Sequence, residues 1–200
     1  MEIEQIYGDL PILETERLLL RKITPADAED MFEYGSNEEV AQYVTWDTHR
    51  KLSDTQTFID YVLNQYSNKK VAPWGIELKG TGRLIGTIDF VWWQPNHRSA
   101  EIGYVVAPEY WGKGICTEAA KAIIKFGFEQ MELIRIQARC FVDNTGSARV
   151  MEKAGMSFEG INRKAMFIKG RHRDLKVYSI LQEEFVNLQK KVTTTGDYLD

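Results

Sequence analysis

Apolar residues alternate with polar ones along some stretches of this chain and recur every three or four residues along others. The two periods mark out its elements. Arg17-Leu-Leu-Leu-Arg-Lys-Ile23 reads as a first strand. Thr24-Pro-Ala-Asp27 reads as a helix start, with Thr24 as cap and Pro25 at the first helical position. That helix is expected to run to about Tyr34, with Ala28, Met31 and Phe32 on its apolar side. Ser53-Asp54 opens a second helix carrying Phe58, Tyr61, Val62 and Gln65. Trp74–Leu78 and Arg83–Trp93 read as strands joined by a hairpin through Gly80-Thr-Gly82. Ser99–Val106 follows the turn signal Gln94-Pro-Asn-His97. A helix then runs to about Met131, with Ile115, Ala119, Ala122, Ile123 and Phe126 at helical spacing. Leu133–Val142 is the next strand. A helix from Asn144 turns Val150, Met151 and Ala154 inward and stops at Gly155. Strands near Phe158–Phe167 and Asp174–Leu181 close the pattern.

The order βααβββαβαββ predicts an α/β fold with one mixed, mostly antiparallel sheet flanked by helices. Residues 1–14 read as a lead-in, residues 15–185 as one domain, and residues 186–200 as a polar, loose tail.

Composition narrows the classes. A chain of 200 residues, 44% hydrophobic and 27% charged, suits one globular domain. A net charge of −4 argues against a nucleic-acid partner and mildly suits a cationic acceptor. No apolar run approaches the length of a membrane span. Met1-Glu-Ile-Glu-Gln5 lacks the basic and apolar regions of a signal peptide. Cys116 and Cys140 give neither a disulfide framework nor a metal cluster, so a reduced, cytoplasmic setting is expected. His49, His97 and His172 lack ligand spacing, and no metal is assigned.

The most telling segment is Glu109-Tyr-Trp-Gly-Lys-Gly-Ile-Cys-Thr-Glu118, between a strand and a helix. Glycines allow backbone to pass close to a ligand. The first amides of a helix lack intrahelical partners and sit at the positive end of its dipole, so they hold anions. The backbone amides of Gly112, Lys113, Gly114, Ile115 and Cys116, with the Thr117 hydroxyl, are the candidate phosphate ligands. A dinucleotide fingerprint would need a third glycine, and a Walker loop would need Gly-Lys-Ser/Thr; neither is present.

The same loop resembles the pyrophosphate loop of the GNAT acetyltransferase superfamily, whose pattern is Gln/Arg-x-x-Gly-x-Gly/Ala. Here it reads Glu109-Tyr-Trp-Gly112-Lys-Gly114, an acid standing in the first place. The longer string from Glu101 to Ala119 resembles the branch containing ribosomal-protein N-terminal acetyltransferases. The resemblance spans about residues 15–185. It implies acetyl-CoA as co-substrate and a splay between the fourth and fifth strands, where the pantetheine arm pairs with backbone of Tyr104, Val105 and Val106. Asn144-Thr-Gly-Ser147 resembles that branch's Asn-x-x-Ser, which implies cofactor contact for Asn144 and proton donation to the leaving thiolate by Ser147. The Glu-Ile-Gly-Tyr string makes Glu101 the first candidate for general base, with Asp89 in reserve. A glutamate that some ribosomal-protein acetyltransferases use falls at Met166 here.

The acceptor pocket is expected from residues 35–50 and 163–174, lined by Tyr43, Trp46, Trp92 and Trp93. A covalent route through Cys116 is disfavoured, since that thiol should lie at the phosphates. The implied activity is direct acetyl transfer to a primary amine, foremost a protein N-terminus, with a polyamine or aminoglycoside as the other acceptor class. An acyl-CoA sensor without turnover is the rival from another class. The sequence leaves the oligomeric state open, a homodimer included.

Overall fold

The computed structural model describes residues 2–196, with side chains through Lys190. Met1 and residues 197–200, the ends of the expected lead-in and tail, lie outside the described residues.

The expected lead-in holds a short helix, α1 (Ile3–Tyr7), and a two-residue strand, β1 (Leu13–Glu14). Ile6, Tyr7 and Leu10 are buried, so this segment belongs to the core. The first long-sheet strand is β2 (Leu18–Arg21). A 3₁₀ turn over Pro25–Asp27 precedes α2 (Ala28–Gly35). Asp27 closes that turn by accepting from the amide and hydroxyl of Thr24, at 2.7 and 3.0 Å. The α3 turn (Glu38–Ala41) and α4 (Leu52–Ser67) follow. In α4 the buried positions are Thr55, Ile59 and Val62, whereas Tyr61 is 57% exposed. Of the residues read onto this helix, Val62 is buried and Phe58 packs against the same cluster, while Tyr61 turns outward.

Strands β3 (Trp74–Leu78), β4 (Arg83–Gln94) and β5 (Ser99–Val106) form an antiparallel meander. Then come α5 (Ile115–Glu129), β6 (Arg135–Phe141), α6 (Thr145–Lys153), β7 (Ser157–Ile168), β8 (Arg171–Leu181) and α7 (Gln182–Gly196). The stretch expected as a loose tail is thus helical through Gly196. The sheet has eight strands in the order β1-β2-β3-β4-β5-β6-β8-β7, and β5–β6 is its parallel pair. No helix among the described residues is long and apolar enough to cross a membrane.

The sheet buries both faces. On one, Ile88, Phe90, Ala100 and Ile102 pack with Ala119 and Ile123 of α5 around Trp74. Trp74 meets Phe90 and Phe126 edge-on, with centroids 6.3 and 5.8 Å apart, and donates to the Pro11 carbonyl at 2.7 Å. On the other face, Ile23, Met31, Tyr34, Ile59, Val62 and Leu84 form a second cluster under α2 and α4.

The β5–β6 ladder is short. It pairs Ser99–Ile102 with Arg135–Ala138 and stops. Beyond it, Gly103–Val106 stays paired to β4, and Arg139–Phe141 stays paired to β8. A β-bulge interrupts the β4–β5 register between Phe90 and Trp92, immediately before the strands part. Bulges bend a strand and increase its twist. The expected splay is therefore present, and its first unpaired residue on β5 is Gly103.

Trp74→Ala removes the largest fully buried side chain. Urea denaturation is expected to show a loss of about 3–5 kcal/mol; an unchanged midpoint would show that the core does not depend on it.

Candidate active site

The phosphate-loop candidate leads directly into α5. Gly112 and Gly114 have φ of 72° and 76°, which glycine adopts without strain. A Cβ on Gly112 would meet nothing within 4 Å, so the loop faces open space. The first backbone bond of α5 runs from the Glu118 amide to the Gly114 carbonyl, at 3.0 Å. The amides of Ile115, Cys116 and Thr117 are thereby left for a ligand. The Lys113 amide has a long bond, 3.4 Å, to the Tyr110 carbonyl.

A clamp that the sequence pattern did not reveal fixes this loop. Glu118 accepts from the Thr15 hydroxyl (2.6 Å), the Arg17 amide (2.9 Å) and Arg17 Nε (2.7 Å). Burial opposes ionisation of Glu118, but these hydrogen bonds hold its carboxyl below the usual range. Arg17 Nη1 then donates to the Lys113 carbonyl at 3.1 Å, tying β2's approach to the loop. Cys116 packs inward, and burial pushes its thiol up to about 12, so it is not a thiolate nucleophile.

The gap between β5 and β6 supplies the second element. The Ala107 amide bonds the Ile85 carbonyl on β4, and the Trp111 indole donates to the Val106 carbonyl at 2.7 Å. By antiparallel alternation, Val105 turns its polar backbone to β4, while Tyr104 and Val106 turn theirs to the gap. A Cβ on Gly86 would collide with the Val105 carbonyl, which confirms that direction. Of the three expected pantetheine contacts, Val105 therefore does not face the gap.

Across the gap, Asn144 caps α6 by accepting from the Ser147 amide at 3.0 Å, leaving its NH₂ group free to donate. The Ser147 hydroxyl lies 3.0 Å from the Tyr104 phenol, which also reaches the Ser147 carbonyl at 3.2 Å. Burial raises the Tyr104 pKa well above its usual value, so the phenol keeps its proton. The sequence pattern assigns a role only to the backbone of Tyr104. Strand alternation would have placed its side chain on the α5 face, but nothing in the chain announced that α6 would bring Ser147 to it.

The opposite face of the sheet carries the acids. Glu101 is 7% exposed and both oxygens are taken: Gln137 donates to one at 2.7 Å and Arg139 Nε to the other at 2.9 Å. It also lies opposite Gln137 in the part of the ladder that is still closed. The structure thus commits the first candidate base to an ion pair. Asp89 lies opposite Gly103, where the strands part. Among the described residues its carboxylate has no hydrogen bond and no ion pair, and burial pushes it up to about 7.

The acceptor end is roofed by the β7–β8 turn, where Lys169 Nζ donates to the Ala41 carbonyl, joining the two expected pocket segments. Trp46 packs on His49 at 5.3 Å, and His49 Nδ1 lies 2.8 Å from the Thr55 hydroxyl. Trp92 is 39% exposed on the Asp89 face, but Trp93 is buried in the core beside Tyr7 and does not line the pocket. Met166 lies opposite Arg173 in the β7–β8 ladder.

The family model described as an acetyltransferase (GNAT) domain matches residues 17–157. The chain is a member of the GNAT acetyltransferase family. The N-acetyltransferase YoaA of Bacillus subtilis is 40% identical over 172 residues, covering 86% of this chain and 97% of YoaA. The candidate ribosomal N-acetyltransferase YdaF of the same organism is 33% identical, covering 85% and 94%. An Escherichia coli spermidine N(1)-acetyltransferase is 24% identical, covering 82% and 88%. A GNAT-family acetyltransferase structure from Bacillus anthracis superimposes with a TM-score of 0.77 at 37% identity, covering 86% and 99%.

This GNAT protein is therefore an N-acetyltransferase, and its open loop and gap are the features to probe first. Gly112→Asp would put a carboxylate at the loop's open face. CoA affinity measured by calorimetry is expected to fall by roughly tenfold or more, with the circular dichroism spectrum unchanged. Undiminished affinity would show that the loop does not hold the phosphates.

Proposed function

We propose that this enzyme transfers an acetyl group from acetyl-CoA directly to a primary amine, foremost the α-amine of a protein or peptide N-terminus. The observation that carries the reading is the unpaired edge of β5 running toward a loop of free amides. An extended pantetheine arm adds to such an edge as a strand would, and its pyrophosphate then meets the start of α5. The amides of Gly112, Gly114, Ile115 and Cys116, with Thr117, hold the phosphates, while Lys113 contributes through a loop shape that Arg17 fixes.

Tyr104 and Val106 offer backbone to the arm, and a backbone amide in the gap polarises the thioester carbonyl. The amine attacks, the C–N bond forms, the C–S bond breaks, and the thiolate takes a proton from the Tyr104–Ser147 pair. The two hydroxyls lie 3.0 Å apart, so Tyr104, kept protonated by burial, supplies the proton and Ser147 orients it. Asn144 holds the turn that carries Ser147 and contacts the cofactor through its free NH₂ group.

The acceptor preference rests on charge. The roofing hairpin exposes Arg163, Lys164 and Arg171, and Lys169 reaches into the roof. A polyamine with several positive charges is poorly served there, whereas a peptide with one terminal amine is not. The similarity to YdaF supports a protein acceptor and the similarity to the spermidine enzyme a small amine.

Release of free CoA thiol from acetyl-CoA, across N-terminal peptides beginning with Ala, Ser or Met, polyamines and aminoglycosides, decides between them. Turnover on free peptides and none on their blocked forms is expected. Turnover on small amines alone would overturn the acceptor assignment, and CoA binding with no turnover would favour a sensor. Tyr104→Phe and Ser147→Ala are each expected to lower kcat by about 10²-fold with little change in CoA affinity. Unaltered kcat in both would remove the pair from the mechanism.

A further inference from the structure

We propose that Asp89, and not Glu101, which is held in an ion pair with Arg139, is the general base that takes the proton from the attacking amine. The inference rests on the acetyltransferase reading above.

Three observations converge on Asp89. The first is register: its partner on β5 is Gly103, the first residue past the last β5–β6 pair, Ile102 with Ala138. It therefore stands on β4 level with the point where β5 and β6 part, one strand from the gap. Glu101 lies two residues earlier, where the ladder is still closed.

The second is space. A Cβ on Gly103 would lie 3.4 Å from Asp89 Oδ1 and 2.5 Å from Val91 Cγ1. Glycine at this position leaves room for Val91, which crosses it, and keeps any β5 side chain off the Asp89 carboxylate. Asp89 and the Tyr104 side chain also fall on opposite faces of the sheet, since Gly103 and Tyr104 are successive residues of one strand. Proton removal from the amine and proton delivery to the thiolate are thus assigned to groups on opposite faces of the sheet, so the two groups do not exchange a proton directly.

The third is the absence of a partner. The charge on Asp89 disfavours the ionised forms of Tyr7 in α1 and Tyr66 in α4. The Tyr66 phenol is already used, accepting from the Ile23 amide at 3.1 Å and donating to the Pro73 carbonyl. On the same face, Glu101 is neutralised by Arg139. Among the described residues no cation pairs with Asp89. Desolvation raises its pKa to about 7, which suits a base at neutral pH.

The protons balance. An ammonium gives one proton to Asp89 and becomes the attacking amine. As the amide forms, the second proton leaves nitrogen and the thiolate is protonated from the Tyr104–Ser147 pair, which regains that proton. Asp89 then releases its proton to water, so one proton leaves per turnover.

The test uses the full chain with a peptide acceptor that wild type acetylates. Wild-type kcat is expected to rise with pH through an apparent pKa near 7 and level off above it. In Asp89→Asn, kcat at pH 7 is expected to fall about 10²- to 10³-fold. Its profile should then follow the amine's own ionisation near 8. CoA affinity should be unchanged. Because the substitution removes a half-buried, unpaired charge, the variant should melt no lower than wild type at pH 8. Carbon-13 aspartate titration of the unliganded wild-type protein gives a readout without turnover, and one carboxyl near 7 that vanishes in Asp89→Asn is the expected result. An Asp89→Asn enzyme with wild-type rate and pH profile, or an Asp89 carboxyl titrating near 4, would overturn the assignment while leaving the acetyltransferase reading intact. A wild-type protein that acetylates no amine would instead overturn that reading, and this inference with it.

Discussion

The parallel ladder between β5 and β6 ends at Ile102 and Ala138, and the unpaired backbone beyond it sets where the rest of the site can be. A strand edge left open inside a sheet exposes amides and carbonyls that need partners. Here the neighbouring strands do not let the gap close. β4 holds Gly103–Val106 on one side and β8 holds Arg139–Phe141 on the other. The helix after β5 begins just past this edge, so its free amides lie in line with the unpaired ones. One local failure of pairing thus creates both a channel for an extended arm and a seat for its phosphates.

The parts that flank the gap have distinct physical duties. Arg17, Thr15 and Glu118 fix the loop from the β2 side through bonds of 2.6–3.1 Å. Asn144 fixes the start of α6 and with it Ser147. Glu101, Gln137 and Arg139 link β5 to β6 where the strands begin to part. Asp89 and Tyr104 are left on either face, one a desolvated carboxylate and the other a protonated phenol. An acid and a base kept apart by a sheet do not neutralise each other, so both remain available for transfer.

Much of the architecture was legible in the chain. The strand, Gly112-Lys-Gly114 and helix start fixed the loop, and the periodic Ile115, Ala119, Ile123 and Phe126 fixed the buried face of α5. Local patterns of this kind report on neighbours within a turn or a strand. They could not report that Glu101 meets Arg139, 38 positions away, or that Tyr104 meets Ser147, 43 positions away. The choice between two acids on adjacent strands depended on which one a distant cation would occupy. The same limit applies to Trp93, whose burial against Tyr7 depends on a lead-in helix that short, polar-rich sequence scarcely announces. In α4, two overlapping apolar ridges were available, and packing on α2 selected Thr55, Ile59 and Val62.

The most direct test of the account is amide hydrogen exchange at the open edge, measured with and without CoA. Binding in the gap predicts that the Tyr104 and Val106 amides, together with those of Gly112 and Gly114–Thr117, become protected as one set, while Val105, already paired to β4, does not change. Protection confined to the loop, with Tyr104 and Val106 exchanging as before, would contradict the claim that the open strand edge receives the cofactor's arm.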